Sequence, residues 1–502
     1  MTEQSVANLL TQMRALRDAV EREAGTVVQS WQATAMDHRL MPAMANLAAY
    51  LALRRHDLSD LQPSLSRFGL SSLGRSEAHV MASLDALCTT LARLCGETDA
   101  PYPPPGRMAA GERTLRMEQH RFFGADAIGA STRIMVTLPT EAATDRALID
   151  GLVEAGMTCA RINCAHDDPA TWRAMAALVR ASATAAGRQC RILMDVAGPK
   201  CRIETLHTIA EKPRAFRGDR IAFVAGMAEA RDGDTTIATI SFPEILDHLQ
   251  VGQDLWIDDG KLGTRVIAKD KGRVEVEVFS ARAKGVRLRA EKGVNFPDTE
   301  LHLSPLCDKD RQDLDTVAEI ADSVGFSFVQ RPEDIAMLHR ELQRRRPGKP
   351  ALPVILKIET PLAVRNLPRL IVQAAAMGPA AVMIARGDLA IELGFARMSE
   401  IQEEIMWLCE AARVPVVWAT EVLSDLVAEG MPSRPEATDA AMAQRAECVM
   451  LNKGPFVVEG VRFLADVLRR MDRHQDKKTA RFGALQSWPL SDLGLPRFDS
   501  AA

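Results

Sequence analysis

Apolar residues recur at helical spacing in the first part of the chain, at Leu9, Leu10, Met13, Leu16 and Val20, and again at Met81, Leu84, Leu87, Leu91 and Leu94. Residues 41–53 are rich in Ala and Leu without strand alternation. The spacing predicts a helical region over residues 1–118. Within it the stretch PYPPPG at 101–106 suits a stiff linker or a surface crossing. From about residue 131 short apolar runs alternate with amphipathic windows. Strands are predicted at 133–137, 158–162, 191–194, 326–329, 353–357, 381–385, 415–418 and 447–451. Helices are predicted at 143–155, 172–186, 309–324, 333–345, 363–376, 400–413, 436–444 and 458–471. Eight β/α units predict a (β/α)8 TIM barrel of the α/β class, over 131–203 and 297–472.

The third and fourth strands are separated by a long interruption, 204–296. Its segment DLWIDDGKLGTRVIAKDKGRVEVEVF alternates apolar and polar residues, with turn signals at Asp259-Gly260 and Lys271-Gly272. This predicts a small inserted β-barrel domain on the barrel face that carries active sites, placed to act as a lid. Residues 473–502 are polar and broken by Pro and Gly, and a loosely ordered tail is expected.

Composition narrows the class. The 502 residues carry a formal net charge of −4, with two tyrosines, which argues against a nucleic-acid binder. No apolar run reaches membrane-spanning length, and residues 1–10 lack a signal pattern. The nine cysteines show no CxxC and read as buried thiols in a reducing compartment, so a cytoplasmic location is expected.

Chemistry is sought where predicted barrel strands end. Arg161 and Asn163 close the second strand, Asp195 the third, Lys357 and Glu359 the fifth; Arg386 and Asp388 follow the sixth and Thr420 the seventh. Three carboxylates (Asp195, Glu359, Asp388) suit a hard divalent cation such as Mg2+. Arg161 and Lys357 supply positive charge for phosphoryl oxygens. The set fits phosphoryl transfer or enolate chemistry. Walker A, GxGxxG and HExxH sequences are absent.

At these residues the sequence resembles the pyruvate kinase family. The resemblance rests on CARINCAH (159–166), MDVAGPKCR (194–202), IDDGK (257–261), EKGVNFP (291–297), ILKIET (355–360), MIARGDLAIELG (383–394), WATEVL (418–423) and PSRPEATDAA (432–441). It implies transfer of a phosphoryl group from phosphoenolpyruvate to ADP or another nucleoside diphosphate, giving pyruvate and ATP. Lys357 would stabilise the phosphoryl group and the enolate, and Arg161 would contact the transferring phosphate. Glu359 and Asp388 would hold Mg2+ or Mn2+. Thr420 would lie near the point of enolate protonation, and Gly387 and Asp388 would offer backbone amides to the substrate carboxylate. Lys292 would reach the nucleotide phosphates from the lid, with Pro139 and His166 near the nucleotide.

The family's monovalent-cation region keeps Asn163 and Asp195, but its Ser and Thr positions hold Ala165 and Val196, and Lys200 stands where the family has Glu. Lys200 is expected to replace K+, making K+ unnecessary. MLNKGPF (450–456) replaces the family's MLSGETA, and Gln330 replaces a common Arg. The family's C-terminal α/β domain has no counterpart here, so no effector response through it is expected, and a homo-oligomer of different assembly is. The alternative reading is a paralogue that binds phosphoenolpyruvate or nucleotide as a sensor, signalling through the helical region.

Overall fold

The computed structural model describes residues 5–31, 40–208, 214–226, 231, 234–301, 303–477 and 479–480. The expected tail falls, beyond residue 480, outside the described residues. Eight parallel strands close a barrel: β1 (Arg133–Thr137), β2 (Cys159–Asn163), β3 (Arg191–Val196), β11 (Ser323–Phe326), β12 (Val354–Ile358), β13 (Ala380–Ala385), β14 (Val416–Ala419) and β15 (Cys448–Leu451). The strands run as near-continuous buried residues, as strands covered on both faces must.

Helices return the chain between them: α6 (Arg146–Ala155), α7 (Pro169–Ala185), α8 (Asp308–Ile320), α9 (Pro332–Arg345), α10 (Pro361–Met377), α11 (Arg386–Leu393), α12 (Phe395–Ala412), α13 (Ser424–Glu429), α14 (Arg434–Ala443) and α15 (Val457–Met471). Their starts follow local chemistry. Asp145, Asp168 and Thr360 each accept a backbone N–H of the first helical turn, and Ser433 with Glu436 forms a capping box. The α15 helix buries Val457, Val461, Leu464 and Leu468, one stripe facing the sheet.

The short helices α11 and α13 have no expected counterpart, and two further elements are displaced. The fourth barrel strand lies at 323–326 rather than 326–329, and α8 stops at Ile320 rather than 324. Gly325 is the reason: it lies opposite Asp195, and a Cβ there would come within 2.6 Å of the Asp195 carboxylate. A residue of low strand propensity is therefore required inside the strand. The chain then turns sharply at Phe328, which is left-handed with φ 53°.

The inserted region forms β4 (Ile203–Thr208), β5 (Arg220–Val224), β6 (Asp234–Ile240), β7 (Asp254–Ile257), β8 (Leu262–Asp270), β9 (Arg273–Ser280) and β10 (Val294–Asn295). These pair in the order β10-β7-β8-β9-β5-β6-β4. The two edges meet at the hinge, where Arg202 bridges Gly293, so the sheet curls on itself around its own apolar core.

The helical region comprises α1 (Val6–Trp31), α2 (Met41–Leu53), α3 (Leu61–Arg67), α4 (Val80–Leu94) and α5 (Pro105–Phe123). The proline stretch is partly helical: Pro105 opens α5, where its missing N–H costs nothing. The α5 helix also continues past the expected boundary at 118, and its last residues enter the barrel. Phe122 and Phe123 are buried among Cys159, Ile355, Ala381 and Cys448, residues at or next to the first positions of their strands. Buried Asn46 ties α2 to α12: Nδ2 donates to the carbonyls of Glu77 (2.7 Å) and Ala411 (2.8 Å), and Oδ1 accepts from Val80 N–H (2.9 Å). Six thiols are buried, Cys88 and Cys307 are half-buried, and Cys95 is exposed, short of the all-buried expectation. Among the described residues no helix is long and apolar enough to cross a membrane.

Candidate active site

The C-terminal ends of the barrel strands surround a cavity of about 390 Å³. Arg161, Asn163, Lys200, Lys357, Glu359, Gly387, Asp388 and Thr420 all line it, so five strand ends deliver the expected residues to one place. Asp195 lies beneath, 1% exposed. Arg161 donates from Nε to Asp195 Oδ2 (2.9 Å) and from an Nη to the same oxygen, and its other Nη reaches Thr137 Oγ1 at 3.0 Å. Lys357 Nζ sits 3.3 Å from Asp195 and 3.2 Å from Glu359, and donates to Ser327 Oγ at 2.6 Å. Ser327 in turn donates to the Val196 carbonyl at 2.7 Å.

The charges sustain one another. Burial alone would raise Asp195, but the Lys357 and Arg161 charges outweigh it and hold the carboxyl below the usual range. Burial likewise opposes the Lys357 charge, and Asp195 and Glu359 overcome it, so Lys357 is raised and stays an ammonium. Glu359 goes the other way: burial pushes it up, Lys357 opposes, and the neighbouring Asp388 carboxylate adds to the rise. Two carboxylates that crowd each other at one cavity are the donor set a divalent cation relieves. A hard cation that takes few protein carboxylates and keeps room for water and phosphate fits Glu359 and Asp388. Among the described residues no cage of three or more acidic, His or Cys side chains exists.

The structure sets the Lys200 ammonium on the α11 side of the cavity. It does not complete a cation site with Asp195, whose charge is met by Arg161 and Lys357. Instead Lys200 Nζ lies 2.7 Å from Asp388 and 3.5 Å from Asp259 of the inserted region. The tight turn at Gly198, left-handed at φ 67°, where Lys200 N–H returns to the Gly198 carbonyl, sends the side chain toward α11. Asn163 Oδ1 is turned back onto Ala165 N–H at 3.1 Å.

Besides Asp195 and Arg386, three expected residues lie off the cavity lining. Lys292 pairs with Asp258 at 2.7 Å within the inserted region. His166 is exposed and Pro139 half-buried, and next to them in the chain Thr140 donates to Asp167 at 2.8 Å. The Gly387 amide donates to Thr420 Oγ1 at 2.7 Å. Thr420, Glu421 and Leu423 all have left-handed backbones, with φ 62°, 57° and 53°, a conformation that costs roughly 1–2 kcal/mol per non-glycine residue.

Sequence reasoning missed Ser327, hidden by the misplaced strand, and Arg202 and Asp259, which line the same cavity. Their positions inside the quoted motifs MDVAGPKCR and IDDGK are the only signal that could have found them.

Besides the Lys200–Asp259 pair, the inserted region meets the barrel through Asn295 Nδ2, which donates to Glu392 on α11 at 3.0 Å. Burial pushes the Glu392 carboxyl up to about 7, against the Asn295 bond and with help from Asp388. A carboxyl raised in the folded state costs nothing below its unfolded value near 4.3. The cost grows as pH rises from there to about 7 and is constant above. Glu392→Gln is therefore expected to match the parent at pH 4 and to exceed it at pH 8 by on the order of 3–4 kcal/mol. Thermal unfolding across that range checks it, and a difference independent of pH would refute it.

Comparison with known proteins agrees with this geometry. A family model described as "Pyruvate kinase, barrel domain" matches residues 130–458. A pyruvate kinase of Agrobacterium vitis is 32% identical over 347 residues, covering 66% of this chain and 68% of the relative. One of Methylorubrum extorquens is 32% identical over 354 residues, 68% and 69% of the two chains. One of Geobacillus stearothermophilus is 30% identical over 374 residues, 72% and 61%.

Proposed function

This chain belongs to the pyruvate kinase family, and we propose from that premise that it transfers the phosphoryl group of phosphoenolpyruvate to ADP or another nucleoside diphosphate. The observation that carries this reading is the convergence of Lys357, Arg161, Glu359 and Asp388 on one cavity at the C-terminal end of the barrel. In the reaction the bond between phosphorus and the enol oxygen breaks and a bond to the terminal phosphate oxygen of the diphosphate forms. The enolate left behind takes a proton at its methylene carbon to become pyruvate.

Lys357, fixed by Asp195, Glu359 and Ser327, presents a permanent ammonium to the phosphoryl group in flight and to the enolate oxygen. Arg161 is held in register by Asp195 and Thr137 and keeps a guanidinium face for the phosphate. Glu359 and Asp388 would hold Mg2+ or Mn2+, which supplies Lewis-acid charge to the phosphate when bound. The amides that open α11 meet the substrate carboxylate, and the Gly387 amide is then shared between that carboxylate and Thr420 Oγ1. Lys292, His166 and Pro139 line the approach of the nucleotide once the lid moves.

Catalysis independent of K+ is supported by the same geometry. Ala165 and Val196 offer no side-chain oxygen, and Asn163 and Asp195 are already engaged. Two cations, Lys200 and Lys357, already stand in the cavity.

The test is pyruvate formation by the purified protein from phosphoenolpyruvate and ADP with Mg2+, with and without K+. Turnover on the order of 1–10³ per second is expected, changing less than twofold on adding K+. A requirement for K+ would discard the independence. No turnover despite measurable phosphoenolpyruvate binding would replace the enzyme by a sensor that signals through the helical region.

A further inference from the structure

Behind Thr420 lies a guanidinium that the reaction above does not use. Arg386 is the first residue of α11, and its side chain is 11% exposed. Nε donates to the Ala419 carbonyl at 3.0 Å, and one Nη donates to the Thr420 carbonyl at 2.8 Å. Both Nη groups grip Asp439 on α14, one of them at 2.8 Å. The guanidinium also stacks 4.6 Å from the Trp418 ring. The next residue completes the grip: Gly387 N–H donates to Thr420 Oγ1. Consecutive residues thus hold both the carbonyl and the hydroxyl of one threonine.

That threonine is β-branched and left-handed, in a turn with two more left-handed residues. Such a backbone persists only where its surroundings over-determine it. An Arg fork can bind two carbonyls and a carboxylate at once, whereas a Lys point charge cannot. With Gly387 N–H occupying one lone pair of Oγ1, the hydroxyl proton is left to point elsewhere, toward the cavity that Thr420 lines.

We propose that Arg386, braced by Asp439, is a positioning residue for the proton-transfer half of the reaction. It fixes the Thr420 hydroxyl at the cavity and acts through Thr420 alone. This rests on the reading of Thr420 as the residue nearest enolate protonation.

The test is Arg386→Lys, alone and combined with Thr420→Ala. Arg386→Lys is expected to lower kcat about 10–100-fold with the KM for phosphoenolpyruvate within threefold. Exchange of pyruvate methyl hydrogens in D2O should fall in parallel. Added to Thr420→Ala, it should change kcat less than twofold. The Gly387 amide should exchange faster with D2O in Arg386→Lys than in the parent. An unchanged kcat, or an equal loss in both backgrounds, would overturn the proposal. If the parent chain shows no turnover, the function proposed above falls, and the Gly387 amide decides the clamp alone: unchanged protection overturns it. Should Arg386→Lys fail to fold, Asp439→Asn weakens the brace, along with the Trp418 Nε1 bond to the same carboxylate, and is expected to give the same signature in weaker form. A Gly387 amide and kcat both left at parent values in Asp439→Asn would equally overturn it.

Discussion

Replacing Lys357 by methionine is expected to slow turnover by about 10³-fold, about 4 kcal/mol of transition-state stabilisation, while phosphoenolpyruvate binding at equilibrium weakens less than tenfold. The expectation follows from where the ammonium sits. It is buried, fixed by three oxygens within 3.3 Å, and kept charged by Asp195 and Glu359. A charge so held reorganises little as the bond to phosphorus breaks and the bridging oxygen takes up the negative charge of the enolate. Its contribution therefore lies in the transition state rather than in substrate binding. Methionine keeps the volume and loses the charge together with the ammonium's hydrogen bonds. A stopped assay of pyruvate, paired with a binding titration, separates the two terms. A variant that turns over within tenfold of the parent would remove Lys357 from the chemistry. Loss of binding in step with rate would recast it as a binding residue.

The second large effect concerns stability. Asp195→Asn removes the only carboxylate that Arg161 contacts in this buried layer and one of the two that Lys357 contacts. Breaking a buried pair leaves an uncompensated charge and typically costs about 3–5 kcal/mol. The sign with pH is fixed by the direction of the shift. Asp195 is depressed in the folded protein, so its stabilising contribution is fully present above the ordinary carboxylate value near 4 and is lost as pH falls below it. The urea midpoint of the variant should lie well below that of the parent from pH 5 to 8, and the two should converge only in stronger acid. Equal midpoints at neutral pH would show that Arg161 and Lys357 are tolerated without Asp195. The same substitution should also cost activity, because both cations lose the partner that aims them.

The barrel and the positions of its polar strand ends were legible in the sequence. Buried parallel strands read as short apolar runs, and a charge ending such a run stands out, as Arg161, Lys357 and Asp388 do. What was not legible depended on distance across the barrel. Gly325 argued against a strand locally, and only the Asp195 carboxylate beside it explains why glycine is there. Ser327 became visible only once that strand was moved. The side-chain direction of Lys200 depends on a left-handed glycine two residues earlier and on two aspartates from different parts of the chain, Asp259 and Asp388. Arg386 was seen as one more polar residue after a strand, yet its partners are two backbone carbonyls and Asp439, 53 positions away.

Phe122 and Phe123 give the helical region a bearing on the site that no chemistry in it would suggest. These two rings, the last residues of α5, fill the floor of the barrel, so the inner layer of the barrel is completed by a segment that precedes its first strand. The covalent boundary between helices and barrel is therefore not a boundary of cooperativity. The α5 helix and the eight strands share one unfolding unit at that floor. A ribosome delivers the plug before the wall that surrounds it, so the nascent helices carry two exposed aromatic rings until β15 closes the ring of strands.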